Sequence, residues 1–405
     1  MNVVFLAPHY PPEMQQYTRG LAEVGVNVLG IGDQPAAGLS PSLKRHLTDY
    51  LHVPKIMDEA DVVARAHAWL KGRSVDRVLA NWEPLVLTAA RMRERFGVPG
   101  MSYDAVLGFR DKQVMKERVA AAGLRVPRSV RTQTIAEVRA AAEEIGFPLI
   151  IKPIAGAGSA DTYRVDSPAE LEKVLPAMRH VSEASVEEFI TGREFTFDTI
   201  SKGGVPLYRN MTEYLPPPLV ARSVESVSPV IITIRDLDQP HLQKGRELGE
   251  AALTALGMDT GFTHAEWFLT PRGEVVFGEV GCRPGGACIV DQMNYTSDID
   301  LFREWARVAC WGHFAADQTR KYNAAIIFKR AKGQGRITRI EGLKEFMKQY
   351  GEFVVEQTFS PIGTRRRDWK QTLLSDGHIL LRHENWDRAY ELSQIVANDI
   401  TLYAE

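Results

Sequence analysis

Cysteine is scarce: there are three in 405 residues, Cys282, Cys288 and Cys310. An odd count without metal-ligand spacing argues against a disulfide framework and against zinc, and it fits a reducing compartment. Long hydrophobic runs are missing too. None approaches the ~18 apolar residues of a membrane span. The opening MNVVFLAPHYPPE has no basic n-region and too short an apolar run for a signal peptide. Neither sign of charge is in surplus. The formal net charge is −2 with 25% charged residues, which points to neither nucleic acid nor a membrane surface as partner. The absent motifs exclude more. Without G-x-x-x-x-G-K-S/T the chain is not a P-loop protein, and no G-x-G-x-x-G follows a strand. The isolated triplets GIG (30–32) and GQG (333–335) read as turns. Without G-x-S-x-G or H-E-x-x-H, serine-hydrolase and zinc-protease readings have no foothold. No long-period repeat or low-complexity tract is visible. The expectation is a soluble, cytoplasmic protein of several subdomains.

What is present is an alternation of strands and helices. NVVFLAP (2–8) reads as a buried strand ended by proline, EMQQYTRGLAEVG as a helix closed by Gly25, and VNVLGIG as a second strand. VDRVLAN (75–81) repeats the strand pattern, and PLVLTAARMRERFG is a helix ending at Gly97. This predicts a Rossmann-like α/β unit over 1–105, with helices on both faces of a parallel sheet. After the helix at 110–127 the character changes to strand, helix, strand, glycine loop, strand, helix, strand over about 128–190. More strands and helices follow to 312. Residues 313–405 form a small α+β unit that opens with NAAIIFKR and closes with a helix over NWDRAYELSQIVANDITLYA. EYLPPPLVARS (213–223) is too proline-rich for regular structure, and GTRRRDW (363–369) reads as a solvated loop.

Three segments invite chemistry. In PLIIKPIAGAGS (148–159), Lys152 ends an apolar strand beside a loop with Gly156, Gly158 and Ser159. A buried ammonium needs an anion, and a Gly/Ser loop can wrap N–H groups round phosphate oxygens; a lysine snorkelling from a hairpin is the plainer alternative. In VEEFITGREFTFD (186–198), Glu187 and Glu194 flank a turn, with Glu188 expected to be exposed. A linker between lobes suits a purine and its ribose, and a charged hairpin is the alternative. In HAEWFLTPRGEVVFGEVGCRPGG (264–286), Glu266 and Glu279 lie thirteen apart across a hairpin. Paired strands can set them side by side, and two buried like charges need a cation such as Mg²⁺. Two exposed glutamates are the bland reading, but AEWFL and VVFGEV are apolar for an open ribbon.

In this order, these segments resemble the ATP-grasp superfamily over about 109–312. The resemblance implies an ATP-grasp domain over 106–312 with a mobile lid at about 128–190, preceded by the Rossmann-like domain and followed by the C-terminal α+β domain. It implies that Lys112 and Lys152 bind phosphates, that Gly156, Gly158 and Ser159 cover them, and that Glu187 holds the adenine amine. The backbone of Glu188 and Ile190 completes the hinge, Glu194 binds ribose, and Glu266 and Glu279 hold Mg²⁺ (or Mn²⁺). Arg283 stabilises the substrate carboxylate or its acyl-phosphate. Family members usually place an asparagine metal ligand two residues after the second glutamate, where this chain has Gly281. The implied reaction joins a small carboxylate to an amine through an acyl-phosphate, with ATP as the phosphate donor. A bicarbonate-phosphorylating carboxylase and a non-catalytic Mg-ATP-binding protein are the alternatives. Around the substrate, His264, Glu13, Arg222 and the space at Gly281 are candidates, and a homodimer is ordinary for such proteins.

Overall fold

The computed structural model describes residues 1–155, 161–372 and 374–405; Gly156, Gly158 and Ser159 therefore lie outside the described residues. The N-terminal sheet is parallel. Its strands are β1 (Asn2–Leu6), β2 (Asn27–Gly32), β3 (Asp49–His52) and β4 (Arg77–Leu79), in the order β3-β2-β1-β4. Val3, Val4, Phe5 and Leu6 are fully buried, as a strand covered on both faces requires. The helix Val86–Phe96 stops at Gly97 in the left-handed conformation, φ 65°.

A second sheet holds β5 (Ser129–Thr132), β6 (Leu149–Pro153), β7 (Tyr163–Val165) and β8 (Ala184–Glu188) in the antiparallel order β5-β8-β6-β7. Its helix Ile135–Ile145 starts at a capping box between Thr134 and Glu137. Leu149, Ile151, Val165 and Val186 close its own small core against that helix.

The remaining strands are β9 (Arg193–Lys202), β10 (Val205–Leu215), β11 (Val230–Thr233), β12 (Gly261–Leu269), β13 (Val275–Gly281), β14 (Asn323–Phe328), β15 (Lys332–Gly333), β16 (Ile337–Glu341), β17 (Val354–Gln357), β18 (His378–His383) and β19 (Thr401–Ala404). Eight of them make one sheet, ordered β13-β12-β9-β10-β11-β14-β18-β17, and β15-β19-β16 form a small separate sheet. The C-terminal strands β14, β18 and β17 thus continue the central sheet, although sequence reading set 313–405 apart. The side chains of β9 alternate by pleat. Phe195 and Phe197 enter the core under the helix Pro240–Ala255, which leaves Glu194, Thr196 and Asp198 on the opposite face.

Two local expectations fail. EYLPPPLVARS is regular: β10 runs to Leu215 and a helix spans Pro218–Ser223. The prolines fall in the joint and the first turn, where a missing N–H is harmless. The terminal helix stops at Asp399 and TLYA becomes β19, because pairing with β16 outweighs helical continuation. GTRRRDW is a mostly exposed loop, as expected, apart from the Arg366 side chain, which is 7% exposed and pairs with Glu225 at 2.5 Å. No helix among the described residues is long and apolar enough to cross a membrane.

Candidate active site

A cavity of about 550 Å³ lies between the four-stranded sheet and the β9–β12–β13 side of the central sheet. Lys112, Lys152, Glu187, Glu194, Glu266 and Glu279 supply its charged lining. Phe189, Ile190, Phe268, Leu219 and Val220 supply apolar lining.

The charges are set by pleat and register. Glu266 on β12 stands directly opposite Glu279 on β13 and beside Thr196 of β9. The pairing jumps from Glu266–Glu279 to Trp267–Phe277, so Gly278 is the extra residue of a bulge. A Cβ there would meet the Glu266 carbonyl oxygen at 2.7 Å, so the bulge that aims Glu279 requires glycine.

Three lysines meet two carboxylates. Lys152 Nζ lies 3.1 Å from Glu279 Oε2 and 3.2 Å from Glu187 Oε2. Lys112 Nζ is 3.6 Å from the same oxygen of Glu279. Lys116, one turn along the helix Lys112–Ala121, pairs with Glu187 Oε1. Burial would raise Glu187, but Lys116 and Lys152 bring its pKa down to about 2. Burial pushes the Lys116 ammonium down to about 8 despite Glu187. Lys152 stays well above the ordinary lysine value: burial opposes its charge, but Glu187 and Glu279 sustain it. Glu279 is held far below the carboxylate range, against burial, by Lys112 and Lys152. Glu194 goes the other way. Burial, then the charges of Glu266 and Glu279, raise it well above that range.

A second buried group adjoins Glu266. His264 Nδ1 lies 2.6 Å from Asp198 Oδ1, and its Nε2 is 3.6 Å from Glu266 Oε1. Tyr214 Oη is 3.4 Å from both His264 Nε2 and Glu266 Oε1. Asp198 is 1% exposed and also accepts from Thr196 Oγ1 at 2.7 Å. Burial lowers the imidazole's affinity for a proton, yet Asp198 raises its pKa to about 9. Beyond β13, Arg283 pairs through Nε with Glu83 of the N-terminal domain.

The structure brings Lys112, Lys152, Glu187, Glu188, Ile190, Glu194, Glu266 and Glu279 to one cavity and corrects several expectations. The Glu187 carboxylate, expected at a purine amine, pairs here with two ammonium groups, those of Lys116 and Lys152. Glu188 is not simply exposed: it accepts from Arg125 at 2.8 Å, and its N–H donates to the Arg128 carbonyl, so that N–H is spoken for in the hinge. Arg222, a candidate for an anion, donates to the Lys370 carbonyl at 2.9 Å. Glu13 precedes the helix Met14–Glu23 with its carboxyl raised by burial, outside the residues that line the cavity. Sequence reading missed Lys116, Glu83, Asp198 and Tyr214. Lys116 carried a signal, its i, i+4 spacing from Lys112. Glu83 carried a weaker one, its place just after a parallel strand at the sheet's carboxyl edge.

The cavity is lined by lysines and carboxylates and lies between a small antiparallel sheet and a larger one. Residues 145–291 match the family model of the ATP-grasp domain. The L-arginine-specific L-amino acid ligase of Bacillus subtilis is 24% identical over 279 residues, 66% of this chain and 66% of that protein. The alanine–anticapsin ligase of Bacillus subtilis is 26% identical over 265 residues, 59% of this chain and 55% of that protein. The chain thus spans less than two thirds of the length of both curated relatives. The crystal structure of an L-amino acid ligase from Bacillus licheniformis superposes with a TM-score of 0.78 at 21% identity, covering 100% of this chain and 98% of that one, which establishes the shared fold.

Proposed function

We propose that the protein is an ATP-dependent ligase that converts a small carboxylate to an acyl-phosphate and joins it to an amine, releasing ADP and phosphate. One observation carries this reading: Glu266 and Glu279 stand opposed, with Lys112 and Lys152 on one side and Arg283 within electrostatic reach on the other. The apolar lining at Phe189, Ile190 and Phe268 takes the adenine, and Glu194 hydrogen-bonds the ribose. Lys112 and Lys152 move from their carboxylates to the phosphates. The loop with Gly156, Gly158 and Ser159 is assigned to phosphate cover from sequence alone.

The carboxylate pair fits Mg²⁺ (or Mn²⁺). Among the described residues no group of three His, Cys, Asp or Glu forms a cage, and Mg²⁺ typically shares one or two carboxylates with substrate phosphates and water. When bound, the ion neutralises charge across the phosphate oxygens. The barrier to carboxylate attack on a phosphoryl group is largely repulsion between anions, so the lysines and Arg283 act by fixed positive charge. His264, held at Nδ1 by Asp198, offers its Nε2 edge beside Glu266 to substrate or phosphate. The ligases among the relatives support an amino acid as substrate, and three free cysteines fit the cytoplasm.

The test is Mg-ATP turnover with hydroxylamine over pooled amino acids and other small carboxylates. A hydroxamate formed with ADP is the expected result and identifies the acid. ADP that requires bicarbonate and yields no hydroxamate favours a carboxylase. Mg-ATP binding without ADP from any pool counts against the ligase.

A further inference from the structure

Gly281 ends β13, and another residue approaches the space its side chain would take. A Cβ at 281 would stand 3.2 Å from Glu83 Oε2 and 3.4 Å from both Cγ and Nε of Arg283. Glu83 opens the short turn Glu83–Leu85 that follows β4, so it belongs to the N-terminal domain. Its two oxygens are divided between two arginines: Oε1 accepts from Arg110 Nη1 at 2.7 Å, and Oε2 accepts from Arg283 Nε. Arg283 Nη1 donates to the Pro284 carbonyl at 2.8 Å. The side chains of Glu83, Arg110 and Arg283 are 13%, 15% and 18% exposed.

This geometry constrains the guanidinium. Of its five N–H groups, one at Nε and one at Nη1 are tied down, which fixes the plane. The remaining donors serve the site. Arg283 also keeps its charge for that purpose, because Arg110 shares Glu83 and the trio carries one net positive charge. Burial favours a neutral carboxyl, but Arg283 and Arg110 hold Glu83 below the ordinary carboxylate value, so it is ionised at neutral pH.

We infer that Glu83 is the positioning residue of Arg283, and that the missing side chain at 281 is what admits this carboxylate from the N-terminal domain. The inference rests on the ligase reading for the role of Arg283, but not for its geometry. A side chain at 281 and the carboxylate at 83 compete for one volume, so the two positions form a compensating pair.

Two measurements test it. The first does not depend on turnover. In arginine Nε–H spectra of the full chain, one slowly exchanging signal, assigned by its loss in Arg283→Lys, is expected to vanish in Glu83→Ala. Its persistence there overturns the inference, and it does so whether or not the ligase reading stands. The second uses hydroxamate formation. Glu83→Ala and Glu83→Gln are expected to lower kcat about 10- to 100-fold, as for a misplaced reacting group, with KM for Mg-ATP within about 2-fold. A purely structural role would instead lower the melting temperature and leave the kcat of the folded fraction intact, which overturns the inference. Gly281→Asn should be more harmful in the wild-type background than in Glu83→Ala, because neighbours that share space are not additive. Additive effects count against the pair.

Discussion

The two ends of the site hold their charges differently. At the phosphate end, Lys116, Glu187 and Lys152 come from the helix Lys112–Ala121 and the small sheet, and their side chains are 2%, 5% and 15% exposed. At the acid end, Arg283 depends on Glu83, a residue 200 positions away in another domain. The first end is built within contiguous segments and locked by mutual neutralisation. The second exists only when two domains are in place. Charge density alone does not mark a working group: Glu187 is among the most tightly paired carboxylates, and for that reason it is the less available one.

The contrast can be broken by substitution. Glu279→Gln should have the largest effect, lowering kcat by about 10³ as for loss of a principal electrostatic group, measured as ADP release. Glu187→Gln should destabilise by roughly 3 kcal/mol, because it strands the buried Lys116, read by denaturant unfolding. The pH dependence has a defined sign. A folded-state pKa of about 2 lies below the ordinary glutamate value of 4.5, so the stabilisation from Glu187 is complete above 4.5 and fades as pH falls towards 2. The stability gap between wild type and Glu187→Gln should narrow over that range. Lys152→Ala should raise the dissociation constant for Mg-ATP about 10- to 100-fold, as expected for a charge-assisted contact worth a few kcal/mol, measured by calorimetry. His264→Gln should lower turnover about 10-fold if its Nε2 edge meets substrate, at the low end for a proton-transfer or hydrogen-bonding group. Arg222→Ala sharpens the contrast from below. Its turnover should stay within about 2-fold of wild type, since a contact with a surface carbonyl is worth little to the chemistry.

Legibility in the sequence follows the same divide. The strand–loop–strand order of the small sheet could be read because period-2 alternation and glycine punctuation are local signals. The opposition of Glu266 and Glu279 was readable from their separation of thirteen residues across a hairpin, while the bulge at Gly278 was not. Asp198 was hidden because it looks like one more polar position in EFTFD, and only the register of β9 against β12 sets it opposite His264. Glu83 was hidden for a stronger reason: no local pattern encodes which carboxylate will enter a space left by a glycine 198 positions on. The ion pairs of Glu187 were hidden because sequence shows a carboxylate at a linker but not the two ammonium groups beside it.

The short helix Pro218–Ser223 contributes Leu219 and Val220 to the cavity lining, yet it is fastened from behind by the far end of the chain. Arg222 reaches the Lys370 carbonyl, Arg330 reaches the Val224 carbonyl at 3.0 Å, and Glu225 receives Arg366 from the arginine run. This part of the cavity wall is therefore held by Lys370, Arg330 and Arg366, which do not line the cavity. Loosening those moorings acts on dwell time: the expected signature is a faster release of bound nucleotide, with the affinity of the phosphate floor itself left as it was.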